Sequence, residues 1–259
     1  MKKLNAEALI KIIILFGYSI FSINSIRTGK IKLYVHPRIV PFIIFGIIVM
    51  IIIGMISVKD LCSAYKRKVR FSKYLIYIIP LIMAFSIKAK AIDSSMIRNK
   101  SITINQNTNS MASASKTQNI DYSSISPSEG KKLNIEGNTI IVNDENFVFS
   151  LDELNENIKK YEKMKIKITG FVYKDKSFKE NEFVAARFMM TCCTADMQVV
   201  GLMCNFQNTK ALNNDTWVEI TGKLEKSDYQ GQVSACIKVD SIKKISKPDN
   251  QYVYPFVNK

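Results

Sequence analysis

Trp217-Val-Glu-Ile-Thr-Gly-Lys-Leu224 and its counterpart Lys165-Ile-Lys-Ile-Thr-Gly-Phe-Val-Tyr173 decide the fold. In both, apolar residues alternate with polar ones, Val218 and Ile220 in the first and Ile166 and Ile168 in the second, the period of a strand with one buried face. Each then reaches a glycine, Gly222 or Gly170, where a strand has to bend sharply. Three more β-like segments, residues 182–190, 198–203 and 232–239, lie between and after them, with turn residues separating all five. Five strands in roughly 80 residues predict a small all-β Greek-key barrel of the OB type, with a compact sandwich as the alternative.

Upstream of the barrel, residues 139–142 and 147–149 read as short strands flanked by Asn and Asp. Ser150 with Glu153 makes a capping box, and Leu151, Leu154, Ile158 and Tyr161 recur at helical spacing as far as Lys163. That predicts a flanking helix whose apolar stripe covers one end of a soluble domain, residues 133–259. Residues 93–132 are rich in Ser, Asn, Thr and Gln without a hydrophobic period, the composition of a flexible polar linker. The chain shows no internal repeat and no phosphate-cradling glycine motif.

Residues 1–92 are of another kind. Residues 39–58 carry no charge and are apolar all round, as a membrane-spanning helix must be. Residues 9–26 hold Lys11 near one end, where its long side chain reaches the interface. Residues 71–92 reach spanning length around Pro80, which neighbouring helices tolerate in a membrane. The expectation is an α+β protein: N-terminal transmembrane helices, three in number, followed by the barrel. A rival reading takes the basic run 66–70, the apolar core after it and Ala89-Lys90-Ala91 as a signal peptide with its cleavage site.

Charge follows the same division. Residues 1–100 hold 17 Lys/Arg against 3 Asp/Glu, whereas residues 101–259 hold 20 against 19. The basicity that gives the chain its net +15 therefore belongs to the membrane half, and the near-neutral barrel lacks the basic groove that nucleic-acid binding requires, even though Phe171, Tyr173 and Phe178 could stack on bases. With three spans and the N-terminus inside, eight short-loop Lys/Arg lie in the cytoplasm and six outside. Cytoplasmic excess of positive charge then puts the soluble domain outside the cell.

The chemistry gathers in Arg187-Phe-Met-Met-Thr-Cys192-Cys193-Thr-Ala-Asp196-Met-Gln-Val-Val-Gly201-Leu-Met-Cys204. Two adjacent thiols, an acid between them and a third thiol are a candidate soft-metal or redox set, so Cys192, Cys193, Cys204 and Asp196 are the candidate ligands of a thiophilic metal such as zinc. Neighbouring side chains of a strand point to opposite faces, so both sulfurs reach one ion only at a bulge or strand end. Disulfides among Cys192, Cys193, Cys204 and Cys236 are the competing use in an oxidising compartment. Cys236 reads as core and Cys62 as a loop bystander. Arg187 reads as a charge on a solvated strand face, and His36, the only histidine, as part of a turn at the membrane edge.

Enzymatic readings lack parts. The polar domain has no histidine, no Ser/His/Asp set can be assembled, and Cys-x-x-Cys is missing. The expectation is a non-enzyme.

Glu145-Asn-Phe147, Gly170-Phe-Val-Tyr-Lys-Asp175, the Arg187 to Asp196 run, Asp215-Thr-Trp217-Val-Glu-Ile-Thr-Gly222, Tyr252-Val-Tyr-Pro255 and, between the first two spans, Tyr34-Val-His36-Pro37-Arg38 together resemble the YcgQ-type family of uncharacterised bacterial membrane proteins. The resemblance covers most of the chain apart from the linker, and Cys-Cys-Thr-Ala-Asp is its most specific element. It implies a multi-pass protein of the cell membrane, an accessory subunit beside a separate multi-span permease in the same bilayer, moving a metal or another small solute. The alternative is an extracytoplasmic thiol redox or disulfide-stabilised binding module with no transport role.

Overall fold

The computed structural model describes residues 5–61, 72–87, 133–229 and 232–255. The expected linker 93–132, the basic run 66–70, Cys62 and the Ala89 to Ala91 cleavage site lie outside the described residues. Contacts divide the chain into two units, Met1–Ala91 with Cys192–Ala195, and Ile92–Thr191 with Asp196–Lys259.

The first unit holds α1 (Ala6–Arg27), α2 (Val40–Asp60) and α3 (Ser72–Ser86). Asn5 starts α1, its Oδ1 accepting from the Glu7 N–H at 3.1 Å, which satisfies a donor that the helix leaves orphaned. Two short 3-10 turns, Lys30–Leu33 and Pro37–Ile39, lead into α2. His36 caps the second of them, Nδ1 accepting from the Arg38 N–H at 3.0 Å, so its expected turn role holds.

Gly54 lets the Phe16 ring lie against α2, and Gly17 does the same for Leu81 of α3. The Tyr18 hydroxyl donates to the Tyr77 carbonyl at 2.8 Å. The helices Ala6–Arg27 and Pro37–Asp60 are long and apolar enough to cross a membrane. The third expected span is a helix of 15 residues with Pro80 inside it, about 22 Å against a hydrocarbon core of about 30 Å. Two helices of spanning length, not three, are present among the described residues.

The second unit runs β1 (Asn134–Glu136), β2 (Thr139–Val142), α4 (Phe147–Glu156), α5 (Ile158–Tyr161), β3 (Lys165–Tyr173), β4 (Glu182–Met189), β5 (Gln198–Asn205), β6 (Trp217–Tyr229), β7 (Gln232–Lys244) and β8 (Tyr252–Val253). β3 pairs with β6, β6 with β7, β7 runs parallel to β5, β5 pairs with β4, and β4 returns to β3. The ring is closed. Its cyclic order, with one parallel contact between the third and fifth barrel strands, is the Greek-key order of an OB barrel, as the alternation and the glycines predict. β1 and β2 extend the sheet from β3, and β8 adds to β4.

Gly222 sits where β6 and β7 shift register, and a Cβ there would run into the Lys238 carbonyl oxygen. Gly170 lies where β3 passes from β6 to β4, where a Cβ would stand 2.7 Å from the Ala186 carbonyl oxygen. Both glycines mark a close approach of neighbouring strands that a side chain would block. Ile166, Ile168, Val200, Leu202, Val218 and Ile220 fill the interior at alternate positions, and Phe147, Leu151, Leu154, Ile158 and Tyr161 of α4 and α5 cover that core. Each such side chain buried in full contributes about 1.5–3 kcal/mol.

Three local expectations fail for identifiable reasons. Phe147-Val-Phe149 is the first turn of α4, not a strand, because Asn143 and Asn146 fold back on each other ahead of it. Ser150 is consequently inside the helix, fully buried with its hydroxyl unpartnered, so there is no capping box. Arg187 is only 1 % exposed, because the loop bearing Asp144 and the chain around Asn250 close over it; Nη1 meets Asp144 Oδ1 at 2.7 Å and Nη2 donates to the Asn250 carbonyl at 3.1 Å.

Candidate metal-binding loop

β4 stops at Met189, and the Met190 N–H donates to the Val253 carbonyl at 3.1 Å, so the chain leaves the barrel wall at Thr191. A 3-10 turn at Thr194–Asp196 leads it back into β5. Asp196 fixes the loop by accepting the Thr191 N–H on Oδ1 at 3.0 Å. Beyond the strand end, the alternation that would send adjacent side chains apart no longer applies. The Cys192 and Cys193 sulfurs accordingly lie 3.7 Å apart.

Cys192, Cys193 and Asp196 each offer one ligand atom, all within 4.8 Å of one another. Cys192 is exposed and the other two are half-buried, so the group is open to water. Neither thiol is in a disulfide. The Thr191 hydroxyl oxygen, at the start of the same loop, is buried and without a hydrogen-bond partner, an unusual state for a buried polar atom.

Cys204, the fourth candidate ligand, is not brought to this group. It faces the interior of β5 among the core residues, and burial, with a smaller push from Cys236, holds its thiol well above the ordinary cysteine range. Strand alternation explains this, since Val200, Leu202 and Cys204 share the inward face. Cys236 is core as expected, its thiol pushed up to about 12 by burial first and then by Glu182 and Glu225. Such thiols stay protonated near neutral pH.

Within the first unit the cysteine pair has backbone partners that spacing could not reveal. The His36 N–H donates to the Cys192 carbonyl and the Thr194 N–H to the Tyr34 carbonyl, both at 2.9 Å, with Val35 bridging Cys193 as in an antiparallel ladder. The one available signal was that Tyr34-Val-His36 and the cysteine run belong to the same family pattern.

Phe171 and Tyr173 are core residues and present no stacking platform. Phe171 packs on Phe188 at 4.5 Å between ring centres and on Trp217 at 5.8 Å, and Tyr173 meets Phe178 edge-on at 6.2 Å.

The model of the DUF1980 N-terminal domain matches residues 10–103, and that of the DUF1980 C-terminal domain matches residues 116–255. Among curated proteins, UPF0703 protein YcgQ of Bacillus subtilis (strain 168) is 34% identical over 91 residues, which are 34% of this chain and 32% of that protein. The match thus spans about a third of the relative's length. Among solved structures, a small single-stranded DNA-binding protein from Streptomyces coelicolor aligns with 32% of this chain and 93% of its own, at 17% identity and a TM-score of 0.23. A replication protein A heterotrimer bound to ssDNA aligns with 32% of this chain and 58% of its own, at 10% identity and a TM-score of 0.19. The barrel assignment rests on the strand order itself.

Proposed function

The chain belongs to the DUF1980 family of uncharacterised proteins, whose C-terminal domain model alone matches more than half of it, and from that footing we propose a membrane-anchored accessory subunit of a separate multi-span permease that captures or senses a thiophilic metal ion, zinc among the candidates. The apolar helices are the anchor, and the barrel's cysteine loop, outside the cell, is the capture point. Its task is binding, not catalysis. The observation that carries this reading is the loop itself: two thiols and a carboxylate with ligand atoms within 4.8 Å of one another, open to solvent just past the end of β4. Ligands brought together by one short loop, fixed by the Asp196 contact to the Thr191 N–H, give a defined site at low ordering cost.

The redox alternative is weaker on geometry. Adjacent Cα atoms stand about 3.8 Å apart across a trans peptide, below the usual 4.4–6.8 Å of disulfides, so a Cys192–Cys193 bond would be strained. The test is metal titration of the purified full-length protein in detergent with free thiols counted alongside. Metal bound with loss of two thiols is expected, and the double substitution Cys192→Ser, Cys193→Ser should lose it. Unchanged stoichiometry in that variant would sink the reading. Co-isolation of the tagged chain with a multi-span protein from native membranes examines the partner.

A further inference from the structure

We infer that the loop is an open, three-ligand tetrahedral site for a divalent ion of the zinc type, built to exchange its ion and not to keep it. The inference rests on the metal-capture reading above and goes beyond it by specifying coordination geometry and lability.

The first argument is the bite of the two thiols. Metal–sulfur bonds of about 2.3 Å at the tetrahedral angle set two sulfurs about 3.8 Å apart. A linear two-thiolate ion such as copper(I), with bonds of about 2.2 Å, would require about 4.4 Å. The observed separation of 3.7 Å matches the tetrahedral edge. The third ligand agrees with it, because tetrahedral thiolate and carboxylate donors lie about 3.6 Å apart. Asp196 is already within 4.8 Å of both sulfurs, and a shift of about 1 Å in its side chain closes the difference.

The second argument is the ligand count. Sites that hold zinc for structure present four protein ligands, whereas those that exchange or activate something keep a position open. Here, among the described residues, the group numbers three, and neither Cys204 nor Cys236 joins it. Cys204 sits fully buried in the core, on the inward face of β5 with Val200 and Leu202, and so is not placed to close the site. The Thr191 hydroxyl is a buried polar atom lacking a partner beside the ligand residues, a group that a small fourth donor such as water would satisfy.

The third argument is support from behind the ligands. Asp196 is held by the Thr191 N–H at 3.0 Å, the kind of outer contact that orients a ligating carboxylate. Binding converts two thiols into two thiolate–metal bonds and releases two protons to solvent, with no electron transferred.

The experiment is cobalt(II) titration of the full chain in detergent. Expected are a thiolate-to-cobalt charge-transfer band, tetrahedral d–d bands, release of two protons per ion and displacement by zinc(II). Added imidazole should shift the d–d bands by entering the open position. Asp196→Asn should keep the charge-transfer band while weakening affinity about tenfold or more, and Cys204→Ser should leave both unchanged.

Octahedral bands, bands indifferent to imidazole, or loss of the charge-transfer band in Cys204→Ser would each overturn the open tetrahedral site. So would copper(I) binding that neither cobalt(II) nor zinc(II) can compete with, although metal capture itself would then survive. Absence of binding by any of the three ions would sink the capture reading first.

Discussion

A guanidinium with 1 % of its surface exposed must find anions and acceptors inside the protein, and Arg187 finds Asp144 and the Asn250 carbonyl. Its flat face also lies 5.0 Å from the centre of Trp217 and 5.8 Å from that of Phe147. It thus fastens the turn before α4 and the C-terminal chain to the strand that ends in the cysteine loop. Asp144 is 41 % exposed, so solvent moderates the pair, and Asp144→Asn should cost about 1.5–3 kcal/mol. Trp217, the single tryptophan, reports the loss as a lower thermal midpoint in fluorescence, and an unchanged midpoint would show that the pair is idle.

Nothing in the local pattern marks Arg187 as buried, because the groups that cover it come from residues 144 and 250, remote in sequence. The cysteine pair was legible for the opposite reason. Its constraint is local, since adjacent thiols converge only past a strand end, and Thr191, Thr194 and Asp196 mark that end. Cys204 lies apart from the pair because the same period-two rule that defines β5 also turns its side chain inward.

At the scale of elements, the barrel was legible through alternation and two glycines, and less so where polar residues carry the pairing. β6 and β7 extend to Tyr229 and Lys244, beyond their alternating parts, because Glu225-Lys-Ser-Asp-Tyr229 pairs directly with the facing strand. Gly222 makes the bend between the two regimes. Gly222→Val would drive a branched side chain into the Lys238 carbonyl and Ile237, neither of which can retreat within the ladder. The expected cost is about 3 kcal/mol or more, read as loss of the cooperative Trp217 transition. A variant that melts like the parent would contradict the close approach.

α4 carries a pH-dependent penalty. Burial, reinforced by Glu156 one turn on, raises Asp152 from 3.8 to about 6 in the folded protein. The folded state therefore binds a proton that the unfolded state has released between those values. Stability falls as pH rises through that window, and the full cost persists above it. Asp152→Asn removes the charge. It should gain about 1–3 kcal/mol at pH 7.5 and nothing at pH 4. Equal melting of parent and variant at pH 7.5 would refute the raised carboxyl.

For the whole molecule, the side of the membrane that the cysteine loop faces depends on whether α3 enters the bilayer. By length alone it falls short. Its surface argues the other way, since Leu75, Ile76, Tyr77, Ile79, Ile82, Met83, Phe85 and Ile87 are all exposed. Water does not tolerate so continuous an apolar surface, and a bilayer thins to meet a short helix at a cost of fractions of a kcal/mol per Å. With α3 inserted, Lys/Arg in the short loops divide eight inside to six outside, and the loop faces outward. With α3 excluded, Lys88 and Lys90 move inward and the division becomes ten to four, but the loop would then lie across the membrane from Tyr34 and His36, to which it is hydrogen-bonded at 2.9 Å. Burial of an apolar helix outweighs two peripheral charges, each worth about 1 kcal/mol at the membrane surface. A membrane-impermeant maleimide added to intact cells should therefore label the Cys193→Ser protein at exposed Cys192 and leave the double variant Cys192→Ser, Cys193→Ser unlabelled. Labelling seen only after the cells are opened would place the loop inside the cell and overturn the outward orientation.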